Sequence, residues 1–143
     1  MDEKRDLLDQ LQQLTAELRS QFFQQLAPEL PGLTAMHGRL LLMLAAKPGA
    51  TAQQLTELLR RDKAQITRLL NDLQQAALLQ RQNDPADGRR QLLVLSEQGQ
   101  QLAAQLKAKK RQIAGKMLVG LTTEQQAQVA QALAQMYQNL VNT

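Results

Sequence analysis

Cysteine is absent from the 143 residues. That excludes a disulfide, a thiolate metal ligand and any thiol-based redox switch. Histidine occurs once, as His37, so one chain cannot assemble a His-based metal site. Tryptophan is missing and aromatics are only 2% of the residues. The core must therefore come from Leu, Ala, Met, Ile and Val, a mixture that favours helix. No apolar run approaches the ~20 residues of a membrane-spanning helix. The opening MDEKRDLLDQ is charged and lacks the apolar centre of a signal peptide, which makes a cytoplasmic protein the expectation. There is no Gly-rich phosphate loop and no carboxylate pair at a suggestive helical spacing. Catalysis, a cofactor and a bound metal are accordingly not expected.

What is present points to a folded, helical, mildly basic domain. Hydrophobic residues make up 43% of the chain and the net charge is +4. The first value is too high for a chain disordered by composition. The second suits a polyanionic partner, although basicity alone is a weak guide. Glutamine is frequent but scattered over helical faces, as solvated surface rather than as one tract.

Along the chain, Leu7, Leu11, Leu14, Leu18 and Phe22 recur at spacings of three and four, which predicts a helix over 3–26. The segment LAPELPG ends it. Residues 34–46 read as a shorter, more buried helix with Thr34 as N-cap. Thr51 with Gln54 three residues on is a capping-box pattern, and Leu55, Leu58 and Leu59 give the next helix its apolar face. Arg60 and Arg61 fall in a turn. Asp62 with Gln65 repeats the cap, and Ile66, Leu69, Leu70 and Leu73 form the buried stripe of a further helix. Two strands follow, 78–82 and 91–95, around NDPADGRR, whose Asp-Pro and Asp-Gly pairs are turn signals. Ser96 caps a helix over about 97–118 that carries the basic run KAKKR. A last helix runs from Thr122 or Thr123 to about residue 140, with Val129, Leu133, Met136 and Leu140 as its stripe and Tyr137 beside it.

The stretch 51–95 therefore reads as a helix-turn-helix followed by a β-hairpin wing, an arrangement suited to holding duplex DNA. The buried stripe of its second helix leaves Lys63, Ala64, Gln65, Thr67, Arg68 and Asn71 outward or at the N-terminal end. Arg reaches the acceptor edge of guanine, Gln and Asn pair with adenine, and Ala or Thr touch a thymine methyl. Lys63, Arg68, Arg81 and Arg90 are candidates for the phosphate backbone, and Thr51 is counted with the DNA-binding residues. Arg89 is the candidate for the minor groove, with Asp87 bracing its guanidinium. Residues 60–90 hold seven Lys/Arg against four Asp/Glu, which favours DNA over the alternative of a winged-helix protein-interaction module. The long terminal helices need partners for Leu7, Leu11, Leu14 and Leu18 and for Leu133, Met136, Tyr137 and Leu140. A homodimer supplies them.

The order of elements and several motifs resemble the MarR family of bacterial transcription regulators. LTAMHGRLLLMLAAKPGATAQQLTELL (33–59) and DKAQITRLLNDLQQAALLQR (62–81) are similar to its second to fourth helices and first wing strand. DPADGRRQLLVLSEQGQQL (84–102) is the most specific marker, with the Asp-x-Arg motif on Asp87 and Arg89 and a Leu-Ser-x-x-Gly helix start on Leu95, Ser96 and Gly99. The resemblance implies a mainly α fold with a small antiparallel β wing. It places a winged helix-turn-helix at 33–95 and dimerisation helices at 1–30 and 96–143 of a single 143-residue chain. It also implies a repressor that binds a pseudo-palindromic operator and is released by a small-molecule effector, with Phe22, His37 and Arg39 as ligand candidates. The chain departs from the family pattern at three places. Arg60 and Ala77 stand where glycine is usual, Ala77 being tolerable if its φ stays negative. His37-Gly38 replace a glutamine and an aromatic.

Overall fold

The leucine spacing at the start of the chain produces α1, Glu3–Leu26, in the computed structural model; Glu3 and Asp6 in its first turn complement the helix dipole. The structure describes residues 3–26, 28 and 32–142. Most of the expected break after α1, residues 27 and 29–31, lies outside the described residues. Then follow α2 (Ala35–Ala46), α3 (Ala52–Leu59), α4 (Lys63–Gln75), β1 (Leu79–Asn83), β2 (Gln91–Leu95), α5 (Glu97–Met117) and α6 (Thr123–Val141). Among the described residues no helix is long and apolar enough to cross a membrane.

The chain divides into two compact units at Lys110/Arg111. The core of the first unit is aliphatic, as the lack of aromatics requires. Leu40, Leu41 and Leu44 of α2 join Leu55 and Leu59 of α3, Ile66, Leu70 and Leu73 of α4, and Leu79, Leu93 and Leu95 of the hairpin. Ala103 and Leu106 of α5 belong to the same cluster. Leu58, expected on the buried face of α3, is 53% exposed. In so short a helix Leu55 and Leu59, four apart, fill the single inward stripe and leave Leu58 on its flank.

The strands pair antiparallel from Leu79 opposite Leu95 to Asn83 opposite Gln91. β1 thus starts one residue later than the pattern suggested, because Leu78 is used to close α4. The Leu78 N–H donates to the Leu73 carbonyl and the Ala77 N–H to that of Gln74, both at 3.0 Å. This is a Schellman closure, which needs a left-handed residue between helix and strand. Ala77 supplies it at φ 62°, so the negative φ anticipated from the sequence is not what the chain adopts. Arg60 closes α3 in the same way at φ 52°, with the Arg61 N–H reaching the Thr56 carbonyl. Both departures from glycine thus retain the left-handed geometry that glycine favours.

In the second unit, α6 is capped by Thr122, whose hydroxyl accepts from the Gln125 N–H. None of its residues is buried.

Candidate nucleic-acid interface

The start of α4 is set by the turn that precedes it. Asp62 has the extended backbone of an N-cap but makes no side-chain capping bond, so the box expected between Asp62 and Gln65 does not close. The box on α3 does: the Thr51 hydroxyl accepts from the Gln54 N–H, and Gln54 Oε1 accepts from the Thr51 N–H. Thr51 is largely buried with its hydroxyl accepting in this cap, and it lines the edge of the groove between α3, α4 and the hairpin.

With Ile66, Leu70 and Leu73 packed inward, α4 exposes Lys63, Ala64, Thr67, Arg68 and Asn71. These residues form one stripe at spacings of three and four. Gln65, counted with them from the sequence, is only half exposed, because it lies one turn before Leu69 on the flank of the buried face.

The wing is built by its aspartates. Asp84 Oδ1 accepts from the Ala86 N–H at 2.9 Å, and Asp87 Oδ1 from the Arg89 N–H at 3.0 Å. The Asp84 N–H reaches the Arg90 carbonyl and the Arg90 N–H the Asp87 carbonyl. Asp87 therefore braces Arg89 through the main chain, in place of the guanidinium contact expected. The tip from Pro85 to Arg90 is exposed. The segment before α3 pins the base of the wing: Gly49 N–H and Ala50 carbonyl bond to Leu93 of β2, at 3.0 and 2.8 Å.

Between α3, the start of α4 and the hairpin lies a cleft of about 700 Å³. Lys63, Arg81, Arg89 and Arg90 line it, against Glu57 as the one acid. Four cations converging on an open groove raise the local concentration of a polyanion. Arg81 is not a free cation in this groove. Its Nε donates to Gln74 Oε1 and its Nη2 to Asn71 Oδ1, each at 2.8 Å. The sequence had assigned Arg81 to phosphate and Asn71 to bases separately, and had passed over Gln74. The 67, 71, 74 spacing on the outward face was the signal for it.

A second cleft, of about 400 Å³, lies between α1 and α2, with Phe22, Met36, Gly38 and Arg39 in its walls. Phe22 and Arg39 are thus where a ligand was expected, but His37 is not among the lining residues. It is 4% exposed and points the other way. The Thr34 N–H donates to His37 Nδ1 at 2.8 Å, so the ring proton sits on Nε2, which donates to Asp72 Oδ2 at 2.9 Å. His37 is therefore a buried tie between α2 and α4, a pairing across 35 residues that no local pattern announces.

A helix-turn-helix with an outward polar stripe, a pinned hairpin wing and a basic groove between them defines a DNA-binding transcription regulator of the winged-helix class. The sequence profile described as the MarR family matches residues 32–90. The transcriptional regulator HosA of Escherichia coli O111:H- is 33% identical over 91 residues, covering 62% of this chain and 67% of that protein. The chain belongs to the MarR family. A probable transcriptional regulator from Pseudomonas aeruginosa has 28% identity and a TM-score of 0.73, over 88% of this chain and 92% of that one. Streptococcus pneumoniae FabT, solved in complex with DNA, has the same fold at 17% identity and a TM-score of 0.84, over 98% and 99%.

Proposed function

We propose that this protein represses transcription by binding a pseudo-palindromic operator as a homodimer, with α4 in the major groove and the wing in the adjacent minor groove. The observation that carries the proposal is the placement of Ala64, Thr67, Arg68 and Asn71 on one exposed face of α4, beside a wing tip that projects Arg89 and Arg90. Arg68 and Thr67 reach base edges. Lys63 and Arg90 meet phosphate. Arg89 enters the minor groove, where narrow A·T segments concentrate negative potential.

The dimer is proposed from exposed apolar side chains. Leu7 and Leu14 on α1 are 51% and 46% exposed, and Leu133 and Leu140 on α6 are 46% and 78% exposed. Leu11, Leu18 and Met136 are half-buried, and Tyr137 is exposed. Solvent-exposed apolar stripes of this length mark an interface between chains. On this reading residues 33–95 bind DNA and the flanking segments 1–30 and 96–143 dimerise, working in the cytoplasm. The α1/α2 cleft, lined by Phe22 and Arg39, is proposed to hold a small-molecule effector.

Fluorescence anisotropy against operator fragments selected from genomic DNA tests the proposal. Binding must weaken steeply with salt, by ~0.9 in log K per log unit of salt for each phosphate neutralised. Arg89→Ala must lose affinity while melting at the parental temperature. If Arg89→Ala binds as tightly as the parent, the wing does not touch DNA.

A further inference from the structure

One guanidinium joins the wing to the outward face of α4. Arg81, half-buried on β1, spends two of its N–H groups on two amides of that helix, Asn71 and Gln74. Both bonds end on the amide oxygen. An amide side chain has an accepting arm and a donating arm, and a charge-assisted bond to the oxygen fixes which arm faces out. Asn71 is exposed, one turn beyond Thr67 and Arg68, on the face assigned above to base reading. Its Oδ1 is drawn back toward the wing, which leaves the Nδ2 hydrogens as the outward group.

A free asparagine reads adenine with both arms, donating to N7 and accepting from the N6 amino group. An asparagine whose oxygen is held by a cation keeps that oxygen turned toward the cation and presents its donors outward. The matching major-groove edges are those that present acceptors: guanine, with N7 and O6, and thymine, with O4.

We propose that Arg81 is a specificity-determining positioning residue. By holding Asn71 Oδ1 it turns Asn71 from an adenine reader into a donor that selects guanine or thymine at one symmetric pair of operator positions. The inference rests on α4 being the recognition helix and differs from the assignment of Arg81 to phosphate. Loss of a phosphate contact lowers affinity for all sequences alike and reduces the salt slope by about 1. A positioning role changes the preference at one position.

The test is selection from random duplex DNA by the parent, Arg81→Ala, Arg81→Lys, Asn71→Ala and the Arg81→Ala/Asn71→Ala double variant, followed by affinity measurements at two salt concentrations. Thermal melting confirms that each variant is folded. The parent is expected to enrich G or T at the position whose preference Asn71→Ala abolishes. Arg81→Ala should move that position toward A by roughly tenfold in relative affinity and leave the others unchanged. Arg81→Lys keeps the charge but loses the two-pronged fork, so it should shift the preference as Arg81→Ala does. In the Asn71→Ala background, Arg81→Ala should change no preference. The inference is overturned if Arg81→Ala weakens all sequences equally, if the parent selects A at that position, or if Asn71→Ala alters no preference. A parent that enriches no sequence at all overturns the DNA-binding reading instead, and this inference with it.

Discussion

Substituting Gly99 by alanine tests how the wing is joined to the long helix that follows it. Gly99 lies in the first turn of α5, where helical φ gives glycine no conformational advantage. Its reason is space. A Cβ built there collides with the Leu78 carbonyl oxygen and lies 3.1 Å from the Leu78 carbonyl carbon and 3.3 Å from Leu95 Cβ. Two of these atoms are main chain and cannot rotate away. The same junction holds three hydrogen bonds: Ser96 N–H to the Leu78 carbonyl, Ser96 Oγ to the Ala77 carbonyl, and Gly99 N–H to Ser96 Oγ. Forcing the turn outward costs about 1–3 kcal/mol as overpacking, with about 1 kcal/mol more for the loss of one of these bonds. Alanine's better helix propensity returns about 1 kcal/mol. The expected net loss is about 1–3 kcal/mol, read as a lower urea midpoint at unchanged m-value and fixed protein concentration. Gly115, in the same helix, is the internal control, because a Cβ added there meets nothing within 4 Å. Gly115→Ala should therefore stabilise, by up to about 1 kcal/mol. The steric argument is refuted if Gly99→Ala matches or exceeds the parent in stability.

Ala77→Gly removes a left-handed alanine worth about 1–2 kcal/mol of strain and adds unfolded-state entropy of about 0.4–1 kcal/mol; a gain near 0.5–1 kcal/mol in chemical denaturation is expected, and a loss would show that the strain is absent. Asp72→Ala leaves the His37 Nε2–H without its acceptor and should cost about 1–3 kcal/mol, whereas Asp72→Asn keeps an oxygen there and should cost less than 1; equal losses would count against the hydrogen bond. Leu133→Glu places a charge on a surface already half exposed in the protomer, so helix content by circular dichroism should hold while sedimentation shows monomer. A dimer that survives this change would remove α6 from the interface.

Periodicity made most of the architecture legible. Leu7 to Phe22 located α1, the Ile66 to Leu73 stripe gave the inward face of α4, and the Asp-Pro and Asp-Gly pairs fixed the hairpin turn. What stayed hidden depends on contacts between distant segments or on backbone sign. The sequence motif Leu95-Ser96-x-x-Gly99 showed a helix start but not that Ser96 and Gly99 sit on the carbonyls of Ala77 and Leu78. Ala77 misled because small non-glycine residues seldom take positive φ, and the Schellman closure overrides that preference locally. Of the proposed DNA face, Thr51 and Gln65 are less exposed than their polar type suggests, for one reason. Capping and flank positions carry the same polar residue types as contact positions, and only packing separates them.

The wing is tied to the helix-turn-helix at three separate places. Gly49 and Ala50 bond to Leu93, Ser96 bonds back to the end of α4, and Arg81 spans from β1 to Asn71 and Gln74. A two-stranded hairpin alone is marginal in water, so these ties are what give its tip a defined position relative to α4. Another side of α4 is held by a polar contact of different character. His37 reaches Asp72 from a helical turn whose neighbouring residues, Met36 and Gly38, line the α1/α2 cleft. One turn of α2 therefore faces the cleft on one side and grips α4 on the other. A ligand in that cleft acts on DNA affinity only if it binds the two positions of this turn unequally. Because α4 and the wing are fastened together, a shift passed through Asp72 would carry the wing along with α4.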